Sequence, residues 1–181
     1  MTAKAPASPG KPRPEVWLRG PVPELPPALQ PVAHSLLQVR EDLPPLLASL
    51  SDERIWARPG GSASIGYHAA HLAGSLVRLA TYARGESLSA AQLADLEAER
   101  NVDAARPERA ELVRRVNEAI ESVLHDLSTY FEDDLFTPRE VGRAKLPSTV
   151  IGLLSHAAEH TARHAGQIAT LVRVTSASSG G

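Results

Sequence analysis

Three histidines stand at four-residue intervals near the end of the chain, at His156, His160 and His164. A four-residue step on an α-helix turns only about 40° around the axis, so the three imidazoles would line one face. Imidazole nitrogens are common ligands of divalent transition metals, and H-E-x-x-H helices chelate zinc with the spacing of His160 and His164. The glutamate of that motif is absent, because Thr161 occupies its position. The spacing therefore predicts a metal site, without the motif's general base.

The apolar residues of the same segment predict which face of this helix is buried. At about 100° per residue, His160 and His164 fall in or beside the apolar stripe, and His156 lies at its shoulder. A half-buried imidazole needs a partner, because an unpaired buried polar group costs about 1–3 kcal/mol. The partner is either a shared metal ion, which the paired spacing favours, or a separate carbonyl or carboxylate for each ring. The stripe consists of Val150, Leu153, Ala157, Ile168 and Leu171.

A second pair of histidines, His68 and His71, lies on another amphipathic segment. The apolar positions of that segment place His68 nearer the core and His71 nearer the flank. Because a helix can roll within a bundle, periodicity leaves the choice between the two open. One histidine from this helix and two from the later one would supply three protein ligands. Three ligands leave positions for water or substrate, which is typical of a catalytic metal site.

Composition narrows the function classes. A chain of 181 residues suits one well-buried domain, and it contains no cysteine, which excludes disulfides, thiolate ligands and a cysteine nucleophile. Nineteen basic and 21 acidic side chains without a basic block give no footprint for nucleic acid. No apolar run reaches the length of a membrane span, and the N-terminus lacks the apolar middle of a signal peptide. We therefore expect a cytoplasmic protein that binds neither nucleic acid nor membrane.

The elements that must position these histidines are helices, and no alternating strand pattern is present. Four long amphipathic helices and one long crossover predict an all-α four-helix bundle. The sequence predicts a proline-rich extension over residues 1–27, the bundle over 28–174 and a flexible tail over 175–181. Pro44 and Pro45 should kink or end the first helix, and residues 136–146 read as a loop. We expect the first helix to begin at Ala28 and the third at Pro107. The second should follow a cap at Ser62 or Ser64, and the fourth should begin at Thr149 after a cap at Ser148.

The motifs SIGYHAAHL and, much later, EHTARHAGQI resemble the DinB-like (DinB/YfiT-type) metal-binding four-helix bundles. The resemblance covers roughly residues 32–174. It implies a divalent ion, nickel or zinc most readily, held by His71, His160 and His164, with waters completing the shell. It thus selects His71, whereas periodicity favours His68. His68 and His156 are additional to the three-histidine pattern, and each is an extra ligand, an outer hydrogen-bonding partner or a proton shuttle.

The resemblance also implies a metal-dependent enzyme, either a transferase that adds a low-molecular-weight thiol to an electrophile or a hydrolase. A noncatalytic metal-binding protein of the stress response is the alternative, and a homodimer is expected in either case. His156 is the candidate catalytic base beside the metal. Glu159 or Gln167 could orient groups there, although Glu159 projects toward solvent and Gln167 inward. His34 on the first helix could reach the cleft, but a solvated or capped ring is the plainer interpretation.

Overall fold

The computed structural model describes residues 13–48 and 50–177. Four long helices account for most of this part of the chain, and a connection with two shorter helices joins the second long helix to the third. The family of folds predicted from the sequence, an all-α four-helix bundle with a long crossover, is confirmed. In chain order the α-helices are α1 (Gln30–Ala48), α2 (Asp52–Ile55), α3 (Ile65–Ala83), α4 (Ala90–Arg100), α5 (Val102–Ala105), α6 (Arg109–Leu127) and α7 (Val150–Ala177).

The four long helices close around one apolar core. Helix α3 packs against α7 and α6, and α1 packs against the same two helices. Each helix contributes an apolar stripe at helical spacing, which is the reason this sequence forms a bundle. Fully buried side chains from all four helices include Leu36, Leu43, Leu72, Leu76, Leu112, Ile120 and Leu154. None of the helices described, in residues 13–48 and 50–177, has the length and apolar character of a membrane span.

The start of α3 is fixed from two sides. Ser64 caps the helix, since its Oγ accepts a hydrogen bond from the backbone N–H of Tyr67, and the same hydroxyl donates to Asp103 at 2.5 Å. The ring of Trp56 packs on Gly66 so closely that a Cβ there would lie 2.4 Å from the ring. The loop that carries Trp56 thus packs onto the bundle, and of the two caps predicted for this helix, Ser64 rather than Ser62 is the one observed.

Helix α4 lies against α3. Ser89 and Gln92 form a reciprocal capping box at its first turn, and the Gln92 amide donates to the Thr81 hydroxyl on α3 at 2.6 Å. The connection turns toward α6 at Arg106, which adopts a left-handed conformation with φ of 45°. The crossover brings two of its acidic side chains, Glu99 and Asp103, into contact with α3 and its N-cap.

A short antiparallel hairpin replaces the loop that the sequence predicted before α7. Strands β1 (Pro138–Val141) and β2 (Leu146–Thr149) pair with Pro138 opposite Thr149. Each strand has only four residues, and no residue in either strand is fully buried. The sequence therefore lacks the alternation of apolar and polar residues by which a longer, half-buried strand is predicted. The cap predicted at Ser148 is also wrong, because the Thr149 hydroxyl accepts from the N–H of Gly152.

The ends of the bundle differ from the sequence predictions in detail. The pair Pro44 and Pro45 does not end α1, which continues to Ala48, and burial of leucines on both sides of the pair holds this turn in place. Helix α7 extends to Ala177, beyond the expected end at Val174. Of the N-terminal extension, Val16 is buried and its N–H bonds to Gln38. Residues 1–12 and 178–181 lie outside the described residues.

Candidate metal centre

Three histidines meet where α3 packs against α7. His71, His160 and His164 each offer one ring nitrogen, and these nitrogens lie within 4.8 Å of one another. The ring centroids are 4.7 Å apart for His71 and His164 and 4.5 Å apart for His160 and His164. All three side chains are partly exposed, so the cluster borders solvent. The two histidines of α7 come together because four residues separate them on one helix.

The His71 ring is oriented by a carboxylate from the crossover. Its Nδ1 lies 2.6 Å from Oε1 of Glu99 on α4. Arg78, which lies about two turns after His71 on the same face of α3, donates to the other oxygen of that carboxylate at 2.9 Å. Burial of Glu99 opposes its ionisation, but the hydrogen bonds from His71 and Arg78 outweigh it and hold its pKa below the usual value. Ionised Glu99 is an acceptor only, so His71 Nδ1 carries the proton and donates it.

The His160 ring contacts a buried hydroxyl. Its Nδ1 lies 3.3 Å from Oγ of Ser75, a residue that is 7% exposed. The Ser75 hydroxyl donates to the carbonyl of Leu72 at 3.2 Å. Since that proton is committed, Ser75 Oγ is left to accept a hydrogen bond from His160 Nδ1–H.

The His164 ring contacts a fourth histidine. Nδ1 of His164 lies 2.9 Å from Nδ1 of His68, whose residue is 8% exposed. One of the two nitrogens donates and the other accepts. His68 lies outside the three-residue cluster that can share an ion. The arrangement places it as an outer partner of His164, among the three roles that the sequence left open for it.

The outer contacts share one pattern. Nδ1 of each clustered ring has a hydrogen-bonding partner: Glu99 for His71, Ser75 for His160 and His68 for His164. A metal-binding imidazole characteristically uses one nitrogen for the ion and donates the other N–H to a partner of this kind. Nε2 of each ring is then the nitrogen available to an ion. These residues fit a divalent transition metal, for which three imidazoles leave further coordination positions open.

The electrostatics of the cluster favour neutral rings at its two α7 histidines, His160 and His164. Burial, followed by repulsion from His71, His160 and His68, lowers the pKa of His164 to about 4. Burial and the neighbouring His71 also lower the pKa of His160, with Arg163 and His156 acting in the same direction. A neutral imidazole has the free lone pair that a metal requires. The lowered pKa values of His160 and His164 therefore suit metal binding.

The remaining predicted residues lie outside the cluster. His156 is one turn before His160 on α7, its side chain is 53% exposed, and the two ring centroids are 5.5 Å apart. Glu159 is exposed and paired with Arg163, in agreement with its expected solvent-facing position. Gln167 is exposed, so the expectation that it faces inward is wrong; small rotations of α7 about its axis decide such flank positions.

His34 does not reach the three clustered histidines. Its Nε2 lies 3.0 Å from the carbonyl of Gly20 in the N-terminal segment. The ring lines a cavity of about 710 Å³ between α1 and α7 to which none of the clustered histidines contributes. Of the plainer interpretations of His34, a solvated or a capped ring, the contact with the Gly20 carbonyl supports the capped one.

Three functional contacts escaped the sequence analysis: those of Glu99, Arg78 and Ser75. Glu99 and His71 are 28 residues apart and belong to helices whose packing depends on the path of the crossover. Arg78 follows His71 by seven residues, a spacing that places both on one face of α3 and was the available signal. Ser75 follows His71 by four residues, a spacing that likewise places the two residues on one face of α3.

The family of the chain follows from a comparison of its sequence with known families. The model of the DinB superfamily matches residues 35–168. This chain belongs to the DinB superfamily. The match runs from α1 into α7 and includes all three clustered histidines, so the resemblance inferred from the two histidine motifs is confirmed. A search of curated proteins gave no match.

Proposed function

We propose that this DinB superfamily protein is a metal-dependent enzyme whose divalent ion, nickel or zinc, is held by Nε2 of His71, His160 and His164. The observation that carries the proposal is the convergence of three imidazoles from α3 and α7, each with Nδ1 already bonded elsewhere. When bound, such an ion supplies Lewis acidity that lowers the pKa of a coordinated water or thiol.

The chain's own residues shape the space beside the ion. The Tyr67 ring stacks on His71 with an interplanar angle of 5° and a centroid distance of 5.7 Å, which restricts the tilt of that imidazole. His156 is half exposed and adjacent to His160, which supports a role in exchanging a proton with a molecule that reaches the site from solvent. The partial exposure of all three clustered histidines supplies the access that a small substrate needs.

For the reaction we favour transfer of a low-molecular-weight thiol to an electrophile. The chain has no cysteine, so the sulfur must come from a cosubstrate. In that reaction the thiol loses its proton, the sulfur forms a bond to the electrophilic carbon, and the leaving group departs with the electron pair of the broken bond. His156 is our candidate for the base that takes the thiol proton. On the same resemblance we expect a homodimer in the cytoplasm.

The test begins with metal binding. Chelator-treated protein is titrated with Ni²⁺ and with Zn²⁺ by isothermal titration calorimetry, with H160A as the variant that lacks one ligand. We expect one ion per chain for the wild type and loss of binding in H160A. The loaded protein is then assayed against a panel of thiols and electrophiles, with H156A as the variant that lacks the base.

Each outcome assigns a different function. Turnover that requires both metal and thiol supports the transferase, and metal-dependent release of acid without thiol indicates a hydrolase. Metal binding without turnover across the whole panel contradicts the enzyme and favours a noncatalytic metal-binding protein of the stress response. Wild-type protein that binds neither ion contradicts the metal site itself.

A further inference from the structure

The crossover helix α4 contributes a carboxylate to the histidine cluster. Glu99 is the second-to-last residue of α4, its side chain is 10% exposed, and it bridges His71 and Arg78 on α3. Its neighbour Glu97, by contrast, is 66% exposed and pairs with Arg100 on the same helix. Within one turn of α4, therefore, one glutamate faces the metal cluster and the other faces solvent.

A glycine on α3 makes room for this carboxylate. Gly74 lies between His71 and Arg78, and a Cβ at Gly74 would lie 2.5 Å from Oε2 of Glu99 and 2.6 Å from Nη1 of Arg78. Both distances are far shorter than a van der Waals contact. A glycine within a helix is unfavourable relative to alanine, so its presence here has a local use. The carboxylate can rest on the surface of α3 because Gly74 has no side chain.

The Arg78 guanidinium holds the carboxylate in place. Its Nη1 donates to Oε2 at 2.9 Å and its Nη2 to Oε1 at 3.4 Å, and the Arg78 side chain is 12% exposed. Little water reaches this pair, so both groups depend on each other for their hydrogen bonds. Oε1 of Glu99 remains directed at Nδ1 of His71.

We propose that Glu99 is a positioning residue of the metal centre. It holds His71 as the Nδ1–H tautomer and leaves Nε2 unprotonated for the ion, while Gly74 and Arg78 place the carboxylate. The proposal rests on the metal site proposed above. The three-histidine pattern contains no residue of the crossover, and the proposal assigns the crossover a function. Without α4, His71 would lack the hydrogen-bonding partner that fixes the orientation of its ring.

The experiment compares two glutamates of one helix. Zn²⁺ affinity is measured by competition with a chromophoric chelator for wild type, E99L, E99Q and the matched control E97L. We expect E99L to bind about 100-fold more weakly and E99Q about 10-fold, because glutamine keeps an acceptor oxygen but not the charge. E97L should bind as the wild type does. Thermal unfolding of each metal-free variant shows whether the fold is retained.

The variant G74A separates positioning from the loss of a functional group. Its new methyl group would meet only the ends of two flexible side chains, those of Glu99 and Arg78, and the substitution removes none of the three clustered histidines. We expect G74A to keep the wild-type melting temperature, within error or higher, and to bind Zn²⁺ about 10-fold more weakly.

A spectroscopic measurement reads the tautomer directly. Long-range ¹H–¹⁵N correlation spectra of the metal-free protein distinguish Nδ1–H from Nε2–H imidazoles, and H71N identifies the signals of His71. We expect Nδ1–H in the wild type and E97L, and a mixture of tautomers in E99L. Unchanged Zn²⁺ affinity and tautomer in folded E99L and G74A would overturn the positioning role while leaving the metal site intact. Failure of the wild type and E97L to bind any ion would instead overturn the metal site, and the positioning role with it.

Discussion

The two histidines of α3 lie three residues apart and have opposite surroundings. His68 faces α7, is 8% exposed, and its hydrogen-bonding partner is the imidazole of His164. His71 lies between α4 and the two clustered histidines of α7, its side chain is 22% exposed, and its hydrogen-bonding partner is a carboxylate that Arg78 also binds. The more deeply buried ring is outside the cluster that can share an ion, and the more exposed ring is in it. Burial therefore does not indicate which of the two rings can share an ion with the α7 histidines; the distances between ring nitrogens do.

The two glycines beside these histidines show the same contrast. Gly66, before His68, packs on the buried indole of Trp56, whereas Gly74, after His71, packs on the ends of Glu99 and Arg78. An indole held in the core cannot move aside, but side-chain ends can. The side of α3 that carries His68 is thus fixed by apolar packing, and the side that carries His71 is fixed by charge.

The largest effect on Zn²⁺ affinity should come from removing one of the three clustered histidines, and removing its outer hydrogen-bonding partner should have a smaller effect. H164A removes an Nε2 from the cluster, so we expect Zn²⁺ binding to fall below detection by calorimetry. H68A removes only the group that orients His164, and we expect affinity to fall about 10–100-fold. The melting temperature of the metal-free proteins serves as the control for folding. If H68A were as severe as H164A, His68 would have to be reassigned as a ligand.

Substituting Gly66 should cost more stability than substituting Gly74. The methyl group of G66A would lie 2.4 Å from the Trp56 ring, and we expect the free energy of unfolding to fall by about 1–3 kcal/mol. Urea unfolding monitored by circular dichroism measures both variants. Equal stability of G66A and G74A would show that the indole moves as freely as the two charged side chains.

The neutral rings on the α7 side predict a pH dependence for the metal-free protein. The pKa of His164 is lowered from 6.5 to about 4, so the unfolded chain takes up a proton near pH 6.5 that the folded protein accepts only near pH 4. His160 and His68 are shifted in the same direction. The free energy of unfolding should therefore decrease as the pH falls from about 7 toward 4.

Urea unfolding between pH 7.5 and 5.0 tests this dependence, with H164N as the variant that cannot titrate at this position. We expect a shallower decrease in H164N than in the wild type. Parallel curves for the two proteins would show that His164 takes up its proton equally well in the folded and unfolded states.

The smallest effect is expected at Ser75. Its Oγ is 3.3 Å from His160 Nδ1, near the outer limit of a hydrogen bond. We expect S75A to weaken Zn²⁺ binding less than about 10-fold, below the effect of E99L. A loss as large as that of E99L would show that the hydroxyl and the carboxylate orient their histidines equally strongly.

Sequence periodicity and family resemblance predicted different parts of this site. Periodicity placed His68 toward the core, which its 8% exposure confirms, and the resemblance selected His71, which lies in the cluster. Helical spacing was sufficient for His160 and His164 because they share one helix. Glu99 escaped because its contact depends on how a connection of 25 residues between α3 and α6 docks on the bundle. The hairpin escaped because strands of four largely exposed residues leave no periodic signal.

The packing of Trp56 on Gly66 gives the molecule a built-in fluorescent reporter. Trp56 is 7% exposed and sits on the first turn of the helix that carries His68 and His71, whereas Trp17 is 61% exposed on the N-terminal segment. These are the two tryptophans of the chain. A soluble quencher such as acrylamide should therefore extinguish the emission of Trp17 first. With W17F, the remaining blue-shifted emission comes from a single indole packed on the first turn of α3, so it reports on the packing of the helix that carries His68 and His71.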